Sequence, residues 1–350
     1  ASARSAFLRA ALPALSRHVL VAGLILFVLF LGEYSVPHAN GLMVIATELL
    51  WVAQNFGAVD VLWLSVPLIV AILVAFRIVR TVWPGPMIET ATGRHLQSTG
   101  TQTLHVLLAL LIVAVTAAVP IISISWRDSL ADELRLALAT YHFELLVTLC
   151  ICVAVGLLVT LIGIAATAVP RLHSAVIITT LVIGLLPGAL VGEAVLAAYQ
   201  PTGWLYEISA FETVGRWIYD HWPLLVIGLT ARFAWIGVLA AWLASRTIAR
   251  QLLWQSAVDG ADASTARLTL TLSYQWPTLL AGMFLAAAMA MADVATTEMV
   301  AVPTAPMIAR ILIEKFHRFE TGMLISLSLW LVASAVPGAI LVFVALKRRR

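Results

Sequence analysis

Residues 223–244 read PLLVIGLTARFAWIGVLAAWLA, and this stretch decides the fold class. Arg232 is its only charged residue. As an α-helix the stretch would be about 33 Å long, enough to cross the hydrocarbon core of a bilayer. Because a helix that is apolar on every side must be surrounded by lipid or by other helices, the stretch predicts a membrane-spanning helix.

Similar apolar runs recur along the chain. They lie at roughly 18–35, 60–80, 104–124, 142–169, 174–198, 277–293 and 322–346. The chain is 62% hydrophobic and 11% charged, whereas soluble domains are about half apolar and about a quarter charged. The sequence therefore predicts an all-α polytopic membrane protein with about eight transmembrane helices.

The distribution of Lys and Arg predicts the orientation. If the loop 246–276 is cytosolic, its side of the membrane collects Arg4, Arg9, Arg17, Arg77, Arg80, Arg94, Arg171, Arg246, Arg250, Arg267, Lys347, Arg348, Arg349 and Arg350. The opposite side collects Arg127, Arg135, Arg216, Arg310, Lys315 and Arg318. Because Lys and Arg are enriched in cytoplasmic loops, this loop and both ends of the chain are predicted to be cytosolic.

Two segments suggest an internal repeat. Residues 12–23 and 272–282 both lead into an apolar run through Ala-Gly, and those runs close on Glu33 and Asp293. Internal repeats are common in transporters. We expect residues 1–103 to be the C-terminal remnant of a first unit with two spans and a cytosolic linker, and 104–350 to be a complete second unit with six. The alternative is a chance likeness between two Leu/Ala-rich helices.

A polar segment interrupts the apolar pattern of the second unit. Residues 255–270 read QSAVDGADASTARLTL. Gly260 can adopt a positive φ and turn the chain, and Asp259 can cap the helix that follows. The next stretch is short and amphipathic, which suits a helix lying on a soluble partner. The alternative is an ordinary solvated loop with a helix cap.

This segment resembles the cytoplasmic coupling loop of ABC importer permeases, which reads Glu-Ala-Ala, then Asp-Gly-Ala, then Leu-Pro. Asp259 to Ala261 match the central motif, and Ser273 stands thirteen residues after Gly260, where the family has its proline. Trp254-Gln255-Ser256 departs from Glu-Ala-Ala. The residues assigned to the loop are Gln255, Ser256, Ala257, Asp259, Gly260, Ala261, Leu272, Ser273 and Pro277.

The resemblance implies a type I ABC permease-like fold in the cytoplasmic (inner) membrane. In that family the coupling loop docks on a dimer of ATP-binding cassette subunits, and an extracytoplasmic binding protein delivers the substrate. The sequence has no Gly-x-x-x-x-Gly-Lys-[Ser/Thr] loop, so ATP would be bound by the partner subunit. No enzymatic activity, cofactor, metal site or nucleic-acid partner is expected of this chain; besides these subunits, its surroundings would be the lipid bilayer.

Further motifs resemble the iron(III)-type branch of these permeases. They are Leu186-Pro187-Gly188 with Gly192, Arg232-Phe233, and Gly32-Glu33-Tyr34-Ser35, while Asp293 replaces the Glu of the second copy. The resemblance implies import of a small solute by alternating access, with ferric iron or another solute delivered by the binding protein as cargo.

Charged residues inside the runs are candidates for the translocation path. A mid-span charge such as Arg232 must face protein or water, as a path residue or in an ion pair with Glu193 or Asp293. Glu193 alternatively reaches the interface. Glu33 and Asp293 would either line the outer mouth or anchor helix ends.

The proline at 187 has two readings. Together with Gly188 it breaks the run 174–198, because proline removes a helical hydrogen bond. The break is either a hinge for inward and outward opening or a fixed kink.

Two other functions stay open on the sequence alone. An ion-coupled secondary transporter would carry buried carboxylates that coordinate H⁺ or Na⁺. A non-transporting membrane assembly subunit would have no coupling to a cassette ATPase.

Overall fold

The fold is all-helical over the residues described, as the sequence predicts. The computed structural model describes residues 58–82, 129–168, 173–201, 212–246 and 250–347, and isolated positions at 23, 27, 44, 48–49, 51–52, 55 and 248. These ranges contain helices and no strand. The helices are α1 (Ala58–Val82), α2 (Leu130–Ala168), α3 (His173–Leu185), α4 (Gly188–Tyr199), α5 (Glu212–Asp220), α6 (Pro223–Arg246), α7 (Arg250–Val258), α8 (Ala263–Ala292), α9 (Val294–Met299), α10 (Ile308–His317) and α11 (Thr321–Lys347).

Four of the described helices are long and apolar enough to cross a membrane. They are α2, α6, α8 and α11, and α3 with α4 adds a fifth if the bent pair counts as one span. The apolar part of α1, Trp63–Val74, is shorter. The predicted run 104–124 lies outside the described residues, as does 18–35 except for two positions. Four of the predicted spans are therefore confirmed, and the run 174–198 is a fifth if its two helices count as one, whereas the run 60–80 has only a shorter apolar part.

The predicted limits of the apolar runs hold for three helices and are wrong for two others. Helices α1, α6 and α11 begin and end within two residues of the predicted runs. Helix α2 begins at Leu130 rather than 142, and has a kink at Tyr141 (φ −119°, ψ 19°). Helix α8 begins at Ala263 rather than 277. Both helices extend beyond their apolar part because their first turns carry polar and charged residues, and hydropathy detects only the apolar part.

Helix α6 forms the centre of the bundle. Of the apolar part of α6 that is long enough to cross a membrane, 67% is buried in protein, whereas the corresponding share for α11 is 11%. Its Leu225, Leu229 and Phe233 pack in one core with Val155 of α2 and Ala290 of α8. Of the four membrane-length helices described, Arg232 therefore lies on the one most buried in protein.

Glycines allow the helices of the core to touch along their backbones. Gly163 of α2 and Gly237 of α6 face each other, and a Cβ atom on either would overlap the backbone of the opposite helix. A Cβ on Gly156 would lie 2.6 Å from the carbonyl oxygen of Met283 in α8. Small residues at such crossings are typical of helices packed in lipid, where close backbone approach supplies much of the attraction.

Helix α10 ends in a strained residue. The N–H of Glu320 donates to the carbonyl of Lys315 at 3.0 Å. This hydrogen bond, which spans five residues, is the one that defines a Schellman cap. Phe319, which lies between the end of the helix and Glu320, has a φ of 56° and is 86% exposed. Glycine is the usual residue at this position because the left-handed conformation costs other residues about 1–2 kcal/mol.

We therefore expect the substitution Phe319→Gly to stabilise the protein by about 1 kcal/mol through release of backbone strain. The matched control is Phe319→Ala, which removes the same ring and keeps the strain. The measurement is the thermal unfolding midpoint of both variants in detergent micelles. An equal gain in the two variants would show that the exposed ring, and not the backbone, is responsible.

Candidate functional site

The predicted span 174–198 is two helices rather than one. Helix α3 ends at Leu185, helix α4 begins at Gly188, and the two meet at an angle of 108°. Pro187 lacks an N–H and disfavours helical backbone in the residue before it, which ends α3 here. With 13 residues, α3 is about 20 Å long, two thirds of a bilayer core.

A second break separates α8 from α9 at Asp293. Its backbone is extended (φ −80°, ψ 100°), and its side chain caps α9. The N–H of Thr296 donates to Oδ1 at 3.3 Å, and the hydroxyl of Thr296 donates to Oδ2 at 2.6 Å. The hydroxyl of Thr297 donates to the Asp293 carbonyl at 2.5 Å. The two bonds from Thr296 hold the carboxylate in one orientation.

Arg232 joins the two breaks. Its Nε lies 2.8 Å from Oδ2 of Asp293, and the two side chains are 15% and 5% exposed. Its Nη1 donates to the carbonyl of Leu186 at 2.8 Å. The Nε hydrogen is not aligned with the carboxylate, so that contact is an ion pair and the hydrogen bond goes to Leu186. Of the two partners open to Arg232, the structure thus selects Asp293.

Gly188 makes room for this arrangement. A Cβ atom there would lie 2.7 Å from Oγ1 of Thr296 and 2.9 Å from Nη1 of Arg232. The Thr296 hydroxyl also lies 3.3 Å from the carbonyl oxygen of Gly188. We call Leu186, Gly188, Arg232, Asp293 and Thr296 the break cluster.

The charges of the break cluster suit the helix ends beside them. The guanidinium donates to the Leu186 carbonyl, one residue past the C-terminus of α3. The carboxylate caps the N-terminus of α9, so each group opposes the partial charge of the helix end beside it. Sequence reasoning missed Thr296; Asp293 is a residue type favoured at helix N-caps, but the sequence alone did not indicate Thr296 as its partner.

The other predicted path residues are not part of the break cluster. Glu193 lies on α4, half-buried, and the described contacts of Arg232 go to Asp293 and Leu186 instead. Its neighbour Gly192 packs against Met299 of α9. Glu33, predicted as the symmetric counterpart of Asp293, lies outside the described residues.

The predicted coupling loop is a short helix followed by a four-residue turn. We call residues 250–262 the connector: α7, then Asp259 to Asp262, leading into α8. Gly260 has φ +80°, which confirms the prediction of a positive φ at this residue. The N–H of Ala261 bonds the carbonyl of Ser256 at 2.9 Å, so the turn is a Schellman cap with glycine in its usual place.

Two details of the predicted loop are wrong. The N–H of Thr265 points to Oδ2 of Asp262 at 3.4 Å, so Asp262 rather than Asp259 caps α8. Leu272, Ser273 and Pro277 lie inside α8. The N–H that Pro277 lacks is the one that would bond the Ser273 carbonyl, so these two residues form one defect in a helix. The stretch after Gly260 is helical, as predicted, but it is the start of the 30-residue helix α8 and not a short helix.

The connector exposes apolar side chains next to polar ones. Trp254 is 74% exposed and Val258 is 87% exposed. Residues four apart lie on the same side of a helix, so the two form one apolar strip along α7. Gln255, Asp259, Gly260 and Ala261 beside them are also exposed.

Comparisons with known proteins do not assign a family. No family model matches the chain, and a search of curated proteins finds no related sequence. The function is therefore inferred from the break cluster and the connector.

Proposed function

We propose that the chain is the transmembrane permease subunit of an ATP-driven, binding-protein-dependent ABC importer. The connector would bind a cassette ATPase dimer on the cytosolic side of the inner membrane. A binding protein would deliver a small solute to the outer side, with ferric iron as the candidate cargo from the sequence resemblance. The chain itself would bind no ATP and catalyse no reaction.

The observation that carries this proposal is the exposed strip of Trp254 and Val258 beside the Gly260 turn. Exposed apolar surface costs about 25 cal/mol per Å² relative to burial, and a tryptophan in a partner's pocket is a typical anchor of an interface. The turn itself fixes how this strip is presented, because its backbone geometry requires glycine. Such an exposed strip, one turn before the long helix α8, fits docking on a soluble subunit.

Helix α8 supports the proposal because it joins the two sites. It begins at the connector and ends at Asp293 in the break cluster. Transport by alternating access needs a connection between the site of ATP use and the helices that move. In this chain one helix supplies that connection.

We expect Trp254→Ala to weaken cassette binding about 30-fold, the size of a loss of about 2 kcal/mol at an interface anchor. Gly260→Val should weaken it as well, because a β-branched residue does not tolerate positive φ. The measurement is affinity purification of the tagged chain from its native cells, with the cassette subunit identified and quantified by mass spectrometry.

The matched control is Trp63→Ala on α1, since Trp63 is 73% exposed and lies away from the connector. This variant should retain the cassette subunit at the wild-type amount. A wild-type chain that purifies with no cassette subunit, or a Trp254→Ala variant that binds as the wild type does, would refute the proposal.

One observation favours ion-coupled secondary transport as a second candidate. Broken helices that meet at buried charged groups are a feature of such transporters, where the freed carbonyls coordinate Na⁺. An ion-coupled transporter binds its ion without a cassette. A rise in the thermal midpoint of the purified wild-type chain in NaCl over choline chloride would therefore favour this second function.

A further inference from the structure

The break cluster has the donor set of a cation site. The carbonyl oxygen of Leu186 lies just past the C-terminus of α3, and the Asp293 carboxylate lies between α8 and α9. Helix C-termini carry partial negative charge, and freed carbonyls together with carboxylates are the groups that bind cations at breaks in membrane helices. Both oxygens lie 2.8 Å from nitrogens of one guanidinium.

We propose that the two helix breaks form a monovalent cation site, and that the Arg232 guanidinium is the tethered cation that fills it. The chain then needs no dissolved cation to hold the breaks together. This inference concerns the break cluster and does not depend on cassette binding at the connector.

The space around the guanidinium supports the proposal. Arg232 enters the site from α6, a third helix that belongs to neither break. Gly188 leaves the room that the guanidinium uses, since an added Cβ would lie 3.0 Å from Cζ of Arg232. Truncation of Arg232 would thus leave a cavity of guanidinium shape.

The oxygen atoms of the site are held independently of Arg232. The Thr296 hydroxyl and N–H bind the two carboxylate oxygens of Asp293 at 2.6 and 3.3 Å. Pro187 sets the break that frees the Leu186 carbonyl. The oxygens should therefore stay in position when the arginine is truncated, and a free cation of the right shape should be attracted to them.

The experiment is chemical rescue of the Arg232→Ala variant in detergent. Its thermal midpoint is measured in guanidinium chloride and in tetramethylammonium chloride at equal, non-denaturing concentrations. Guanidinium should raise the midpoint by about 3 °C relative to tetramethylammonium, as expected for a ligand that binds only the folded state. Tetramethylammonium is matched in charge but has no N–H to donate.

Two controls decide the outcome. In the wild type the site is filled, and in Arg232→Ala/Asp293→Asn the carboxylate is gone, so neither should gain from guanidinium. Equal midpoints in the two salts for Arg232→Ala, or an equal guanidinium effect in all three proteins, would overturn the proposal.

A second readout applies if Arg232→Ala is recovered only in part. The yield of monodisperse protein on size exclusion is then compared after purification throughout in either salt. A higher yield in guanidinium for this variant alone supports the tethered cation, and equal yields contradict it. Arg232→Lys, which keeps a charge in the site, should show no difference between the salts.

Discussion

Replacement of Gly237 by alanine is expected to destabilise the helical bundle by about 1–3 kcal/mol or more, although alanine is the better helix former. The added Cβ would overlap the backbone of Val159 in α2. A backbone cannot rotate away as a side chain can, so α2 and α6 would have to separate. The measurement is thermal unfolding in detergent, followed by the circular dichroism of the helices.

The matched control lies on the same helix. A Cβ on Gly228 would meet its nearest atoms, in Thr296 and Val300, at 3.5 Å, which is ordinary contact. Gly228→Ala should therefore gain up to about 1 kcal/mol from helix propensity. Gly163→Ala should act like Gly237→Ala, and the double variant should lose less than the sum because one separation relieves both overlaps. Equal midpoints for Gly237→Ala and Gly228→Ala would contradict the close crossing.

Neutralising Asp293 should have an even larger effect. Asp293→Asn leaves the Arg232 guanidinium buried without its counter-ion, a change that costs about 3–5 kcal/mol. Asparagine is as good a helix cap as aspartate, so the cap of α9 is retained and the loss reports the charge. The measurement is again the thermal midpoint in detergent.

Two further variants test this interpretation. In Asp293→Asn/Arg232→Met the orphaned charge is removed as well, so the double variant should be more stable than Asp293→Asn. Glu212→Gln breaks the exposed pair with Arg216, whose side chains are 57% and 66% exposed, and should change stability by less than about 1 kcal/mol. A double variant less stable than Asp293→Asn would show that the pair matters for its shape and not for its charge.

Hydropathy predicted the helices whose limits coincide with a change of composition. Helix α6 and helix α11 are flanked by polar residues, so an apolar run marks both of their ends. In α8 the helix continues through Arg267, Ser273 and Gln275, which a hydropathy profile reads as loop. The positive φ of Gly260 could be predicted because a single residue type determines it.

The break cluster could be predicted only in part. Pro187 indicates a break, but the angle of 108° depends on how closely Gly188 approaches Thr296 and Arg232. The sequence left Glu193 and Asp293 equally available as partners of Arg232, since neither is a neighbour of Arg232 in sequence. Packing of α4 and α9 against α6 makes that choice, and no local pattern encodes it.

The length of helix α8 limits how the helix can move. Its 30 residues span about 45 Å, so if the helix tilts as one unit, a tilt of about 10° at the connector would shift the far end by about 8 Å. A shift of that size exceeds any ion-pair distance. Such a tilt must therefore either move α3 and α6 together with α8 or separate Asp293 from Arg232. The stability of this ion pair thus limits how far α8 can tilt on its own.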